Sequence, residues 1–195
     1  MKISIATEDA LTEEIVLKML SLKGRFEILH RLGKKGCGFL VSKLNNFNQL
    51  SRTHNVLVFF DLDLKPSQDA YVQEIEGYLA NKQQSLHVLI SVREVESWIL
   101  ADREGLANFL HVSKEKIDRS PEQLLDPKEK IVNLARNSKN SIIRKGIAPS
   151  QGAAAKVGIS YNTLLIDFIW SRWDLNRAIE YSPSLKVVSD LIDSL

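Results

Sequence analysis

The first hundred residues alternate short β-forming runs with stretches of helical periodicity, a pattern that belongs to a mainly parallel sheet covered by helices. Four segments read as strands: residues 2–7 (KISIAT), 25–29 (RFEIL), 55–60 (NVLVFF) and 86–92 (LHVLISV). Between them lie helical stretches over 12–22, 39–50 and 69–80, the first with Ile15, Val16, Met19 and Leu20 on one face. After Val92 the β signal ends, and helical patterns occupy 94–110, 121–137, 151–170 and 184–195. Asp126 and Pro127 kink the second of these or restart it one turn later. Residues 137–152 (NSKNSIIRKGIAPSQG) are rich in turn formers and read as a loop. The expectation is an α/β core over residues 1–110, with four mainly parallel strands, and a helical extension over 111–195 packed on it.

Composition narrows the setting. Twenty-six basic against 24 acidic residues leave a net charge of +2, which excludes a uniformly basic nucleic-acid coat and an acidic solvating chain. The single cysteine, Cys37, can form neither an internal disulfide nor a cysteine-rich zinc site. With no charged-then-apolar leader at the start, the expectation is a cytoplasmic protein. The longest apolar runs, such as 56–60, fall far short of the roughly 20 residues a membrane helix needs, so no membrane partner is expected.

In open parallel sheets, sites form outside the carboxyl ends of the strands. Strand one runs into Glu8 and Asp9, strand three into Asp61-Leu62-Asp63, and strand four into Arg93-Glu94-Val95-Glu96. Crowded carboxylates resist ionisation unless a cation neutralises them, and hard oxygen ligands suit Mg²⁺ or Mn²⁺. In extended chain Asp61 and Asp63 point the same way. Glu94 and Glu96 do likewise if strand four continues, and diverge if a helix has begun. Asp9 reads equally as a helix N-cap, and Glu94 and Glu96 as helix-start acids. After strand two the chain reads His30-Arg31-Leu32-Gly33-Lys34-Lys35-Gly36-Cys37-Gly38, where glycines and Lys34 and Lys35 suit a phosphate. Between Glu129 and Asp167 there is no acid, while Lys130, Arg136, Lys139, Arg144, Lys145 and Lys156 supply positive charge suited to a nucleic-acid backbone. Trp98, Trp170 and Trp173 read as core residues rather than base-stacking platforms.

The order strand–Glu8–helix, then strand–Asp61-Leu62-Asp63, resembles the Toprim domain of topoisomerases, bacterial primases and nucleases of the overcoming-lysogenisation-defect type. More narrowly, TEDALTEE (7–14), the 33–38 loop, VFFDLDL (58–64), SVREVESWILAD (91–102) and PEQLLDPKEK (121–130) resemble domain of unknown function 4276, some of whose relatives occur in anti-phage defence loci. The resemblance implies a metal site built from Glu8, Asp61 and Asp63, joined in the nuclease branch by Glu94 or Glu96. It implies Mg²⁺ or Mn²⁺, nucleic acid (DNA or RNA) as substrate, and a partner ATPase. The oligomeric state stays open, a homodimer included. Asp9 departs from the family's glycine after the first glutamate, and no tyrosine can be assigned to strand passage. Two other readings stand beside a nuclease. One is a non-catalytic module binding nucleic acid or a partner. The other is a phosphatase of the haloacid-dehalogenase type with Asp61 as nucleophile, although those enzymes usually carry DxDGT or DxDGV on the first strand.

Overall fold

A computed structural model describes all 195 residues, which divide into two compact units, Met1–Val92 with Val188–Leu195, and Arg93–Val187. The first unit holds β1 (Lys2–Thr7), α1 (Ala10–Lys23), β2 (Glu27–Gly33), α2 (Cys37–Leu50), β3 (Asn55–Asp61), α3 (Gln68–Glu76) and β4 (Leu86–Ser91). All pairings are parallel and the strand order is β2-β1-β3-β4. The central strands β1 and β3 are buried on both faces because both are covered, with Ser4 and Thr7 the polar exceptions in β1. Ala6, Val56, Val58, Phe60, Val88 and Ile90 pack with Leu40, Leu44 and Phe47 of α2 and with Tyr71 and Ile75 of α3. The alternate set, Ile3, Ile5, Leu57 and Phe59, is equally buried, as are Ile15, Val16, Met19 and Leu20 of α1.

Strand two lies four residues further along than the expected 25–29 window would end, closing at Gly33 rather than Leu29. It is an edge strand, so backbone pairing with β1 rather than a continuous apolar run defines it. The register jumps between Ile3↔Ile28 and Ser4↔His30, a bulge that leaves Leu29 without a partner position and carries polar His30 and Arg31 into the strand.

The second unit is helical: α4 (Glu96–Ala101), α5 (Arg103–Leu110), short 3₁₀ turns at Lys114–Lys116 and Pro121–Gln123, α6 (Pro127–Arg136), α7 (Ser141–Ile147), α8 (Tyr161–Ser171) and α9 (Leu175–Ile179). The last helix, α10 (Pro183–Ser194), starts in this unit and ends in the first. The division thus falls at Val92 rather than near residue 110.

The helix expected over 94–110 is broken at Asp102, whose carboxylate caps α5 by accepting from Gly105 N–H (3.0 Å) and is gripped by both ends of the Arg177 guanidinium (2.7 and 2.8 Å). Asp126 caps a restarted α6, as one of the two sequence readings had it. The 137–152 loop instead contains α7, capped by Asn140 through Ile142 N–H (2.9 Å). Of the 151–170 helix only its second half forms. Gly158 N–H donates to Ile147 O (2.8 Å) and Ser160 N–H to Gly146 O (3.0 Å), so this segment folds back on α7 instead of coiling. Trp98 and Trp173 are buried, linked by Trp173 Nε1–H to Trp98 O (3.0 Å), whereas Trp170 is exposed.

Candidate functional site

From β1 the chain moves outward to β2, then crosses back to β3 on the other side and continues to β4. The strand order therefore reverses between β1 and β3, the place where open parallel sheets form their sites. Glu8 follows the last residue of β1, and Asp61 is the last of β3.

Glu8 is held in place by backbone. Its Oε1 accepts from Asp61 N–H (3.0 Å), its carboxylate also accepts from Cys37 N–H at the start of α2, and its own carbonyl accepts from Gly36 N–H (2.9 Å). Close docking of the β2–α2 loop makes this geometry accessible. Gly33 has φ +92°, a Cβ there would lie 2.2 Å from Thr7 O, and Lys34 N–H donates to that same carbonyl (2.7 Å). Only glycine permits both the conformation and the approach. Burial pushes the Glu8 carboxyl up to about 7, with Asp63 and Asp9 adding repulsion and the two peptide N–H groups opposing the rise.

The Asp61/Asp63 pair is not extended as expected. The strand ends at Asp61, and Asp63 sits in the left-handed region (φ +51°) of a turn closed by Lys65 N–H to Leu62 O (3.0 Å). Aspartate tolerates this conformation better than most residues. Asp63 is exposed and acts electrostatically on Glu8 and Cys37. Asp61 shares strand parity with Leu57 and Phe59, and its Oδ1 accepts from Ser91 Oγ, its register partner on β4. Glu8 and Asp63 are thus brought together, while the Asp61 carboxylate is engaged by Ser91 and its N–H serves Glu8. No three His, Cys, Asp or Glu side chains converge as a metal-binding group. Mg²⁺ commonly takes one or two carboxylates and completes its shell with water and substrate phosphate, so Glu8 and Asp63 fit it as a donor set.

Asp9 is an N-cap, accepting from Thr12 N–H (2.8 Å), and its extended backbone (φ −139°, ψ 179°) needs no glycine. Lys34 does not face a phosphate freely: its Nζ pairs at 2.7 Å with Glu13, a buried α1 carboxylate that also binds Arg31 Nε (2.6 Å). Lys35 is exposed beside the Phe39 ring (5.2 Å).

Glu94 and Glu96 belong to the second unit, where α4 begins at Glu96 instead of β4 continuing, yet both carboxylates meet one cation rather than diverging. Glu96 is buried, accepting from Tyr161 Oη (3.1 Å) with Lys128 Nζ at 3.4 Å; Glu94 lies 3.6 Å from the same Nζ. Arg136, Lys139, Arg144, Lys145 and Lys156 are all exposed, with Arg144 also donating to Ser138 O (2.7 Å). Arg136 and Lys156 line a cleft of about 900 Å³ within this unit.

Sequence reasoning missed three neighbours of the first site. Cys37 Sγ lies 3.2 Å from Tyr71 Oη, and Lys65 Nζ lies 4.1 Å over the Tyr71 ring while bonding Glu74 (2.8 Å). Burial and the carboxylates Glu8 and Asp63 push the Cys37 thiol up, which keeps it protonated and makes it a poor nucleophile. Tyr71 was legible only as an apolar position on α3; its hydroxyl partner lies 34 residues away.

No curated protein and no solved structure matches the chain significantly. A family model described as "Domain of unknown function (DUF4276)" matches residues 6–167, most of the sequence and both units in large part, and the chain belongs to that family.

Proposed function

We propose that this protein is a Mg²⁺-dependent phosphodiesterase of Toprim type that cleaves nucleic acid. The supporting observation is the placement of Glu8 and the Asp61–Asp63 turn at the one point where the strand order reverses. Glu8 and Asp63 would hold the ion, and Asp61 fixes Glu8 through its N–H. Mg²⁺ or Mn²⁺ bound there supplies an activated water and offsets charge on the leaving oxygen. Lys35 is the loop cation free to meet a phosphate, since Lys34 is committed to Glu13. The exposed cations Arg136, Lys139, Arg144, Lys145 and Lys156 support backbone tracking, with affinity falling steeply as salt rises. The family resemblance adds a setting in the cytoplasm, in defence against foreign nucleic acid with a partner ATPase.

A second reading, a binding module without catalysis, is favoured by one observation: the Asp61 carboxylate is engaged by Ser91. Plasmid DNA, tRNA and a phosphomonoester, each incubated with Mg²⁺ or Mn²⁺ beside an Asp61→Ala/Asp63→Ala variant, separate these readings. Polynucleotide cleavage lost in the variant supports the nuclease. Salt-sensitive binding without turnover supports the module, and turnover of the monoester alone points to haloacid-dehalogenase-type chemistry.

A further inference from the structure

The cleft in the second unit is walled on one side by α6 and on the other by residues 149–156. Along α6 its lining residues Lys128, Glu129, Val132 and Arg136 recur at helical spacing, so they share one face. At 1.5 Å per residue, Lys128 and Arg136 stand about 12 Å apart along the axis. The cleft is therefore polarised. Near the start of α6 stand Glu129 and, beside Lys128 Nζ at 3.6 Å, Glu94. Arg136 marks the other end, and Lys156 contributes a second cation from the facing wall.

Glu94 is the informative residue. Its side chain keeps 25% of its exposure, yet Oε2 is buried with no hydrogen-bond partner, and the only ion pair to Oε1 is a long one. An unsatisfied carboxylate oxygen is costly, and the exposed part of Glu94 lines the cleft, where a bound donor can reach the carboxylate. A pure polyanion would meet repulsion at this end. The polarity suits a ligand with an anionic group at one end and a hydrogen-bond donor edge at the other.

We infer that this cleft binds one nucleotide, with its phosphate between Arg136 and Lys156 and the amino edge of its base on Glu94. A carboxylate accepts from the cytosine N4 amino group and has no donor for the uracil O4 that replaces it. The volume, about 900 Å³, accommodates a nucleotide. The choice of ligand rests on the proposed nucleic-acid reading; the polarity of the cleft does not.

The test uses the full chain in EDTA, with 5′-CMP, 5′-UMP and a 5′-phosphorylated deoxycytidine pentamer as probes in calorimetric titration. CMP is expected to bind at least fivefold tighter than UMP. Glu94→Gln, whose amide can donate as well as accept, should erase that preference, and Arg136→Ala/Lys156→Ala should weaken both nucleotides about tenfold. Val132→Trp should fill the cleft and abolish binding, with a thermal melt checking its fold; the charge variants, on exposed or partly exposed side chains, serve if it does not fold. Tighter binding of the pentamer identifies a strand as ligand and tighter binding of CMP a free nucleotide, and either supports the site. Equal CMP and UMP affinities, or none at millimolar concentration, overturn it. Cleavage of nucleic acid with Mg²⁺ but no nucleotide binding would remove this inference alone. CMP binding in a protein that cleaves nothing would remove the nuclease instead.

Discussion

Replacing Glu8 by glutamine should make the metal-free protein more stable at alkaline pH. The Glu8 carboxyl is shifted from 4.5 to about 7, first by burial and then by Asp63 and Asp9. A displacement of that size would carry about 3 kcal/mol against the charged form if the group were fully shielded. Glu8 keeps part of its solvent contact, and screening reduces the expected penalty to about 1–2 kcal/mol. The folded carboxyl is the weaker acid, so its contribution is fully present below pH 4.5 and is lost as pH rises through about 7. Burial lowers the values of His54 and His87, which gives the opposite slope, so the informative quantity is the wild-type curve minus the Glu8→Gln curve. In thermal melts in EDTA that difference should be near zero at pH 4.5. By pH 8 the variant should melt about 2–8 °C higher. Millimolar Mg²⁺ at pH 8 should raise the wild-type midpoint and leave the variant where it was. Parallel pH curves for the two proteins would refute the reasoning.

Other perturbations separate structural from functional charges. Gly33→Ala should cost at least about 2 kcal/mol in urea denaturation, through positive φ and the clash with Thr7 O. Lys34→Ala should destabilise by about 1–3 kcal/mol by stripping one partner from buried Glu13, with nucleic-acid affinity unchanged, whereas Lys35→Ala should do the reverse. Asp102→Asn should cost about 1–3 kcal/mol in the second unit, because one buried acceptor becomes an NH2 facing the N–H donors of Asp174 and Arg177; chemical denaturation followed by tryptophan fluorescence reads the loss.

The parts of the fold legible in the sequence are those whose signal is local. β1, β3 and β4 are buried on both faces and read as short β-forming segments, β3 as a continuous apolar run, so Glu8 and Asp61 could be placed at strand ends from sequence alone. β2 could not be delimited because an edge strand with a bulge is defined by its partner, and Arg31 looks like a loop residue until Glu13 lies beside it. The site's finer geometry depends on pairing over long separations. Asp61 meets Ser91 across 30 residues, and the left-handed Asp63 breaks the alternation that sequence periodicity assumes. Lys34 looked like a phosphate ligand because its glycine-rich context was visible and Glu13, 21 positions earlier on another element, was not. The cleft was invisible because residues 146–160 read as loop and helix, whereas backbone bonds fold the segment back against α7.

The most direct test of a metal site at the strand-order reversal is Mn²⁺ titration followed by electron paramagnetic resonance, using wild type, Glu8→Gln, Asp63→Asn and Glu96→Gln. The expected result is a wild-type site lost in the first two variants and kept in Glu96→Gln, because Glu96 is taken up by Tyr161 and Lys128. Undiminished Mn²⁺ binding in both Glu8→Gln and Asp63→Asn, or none in the wild type, would contradict it.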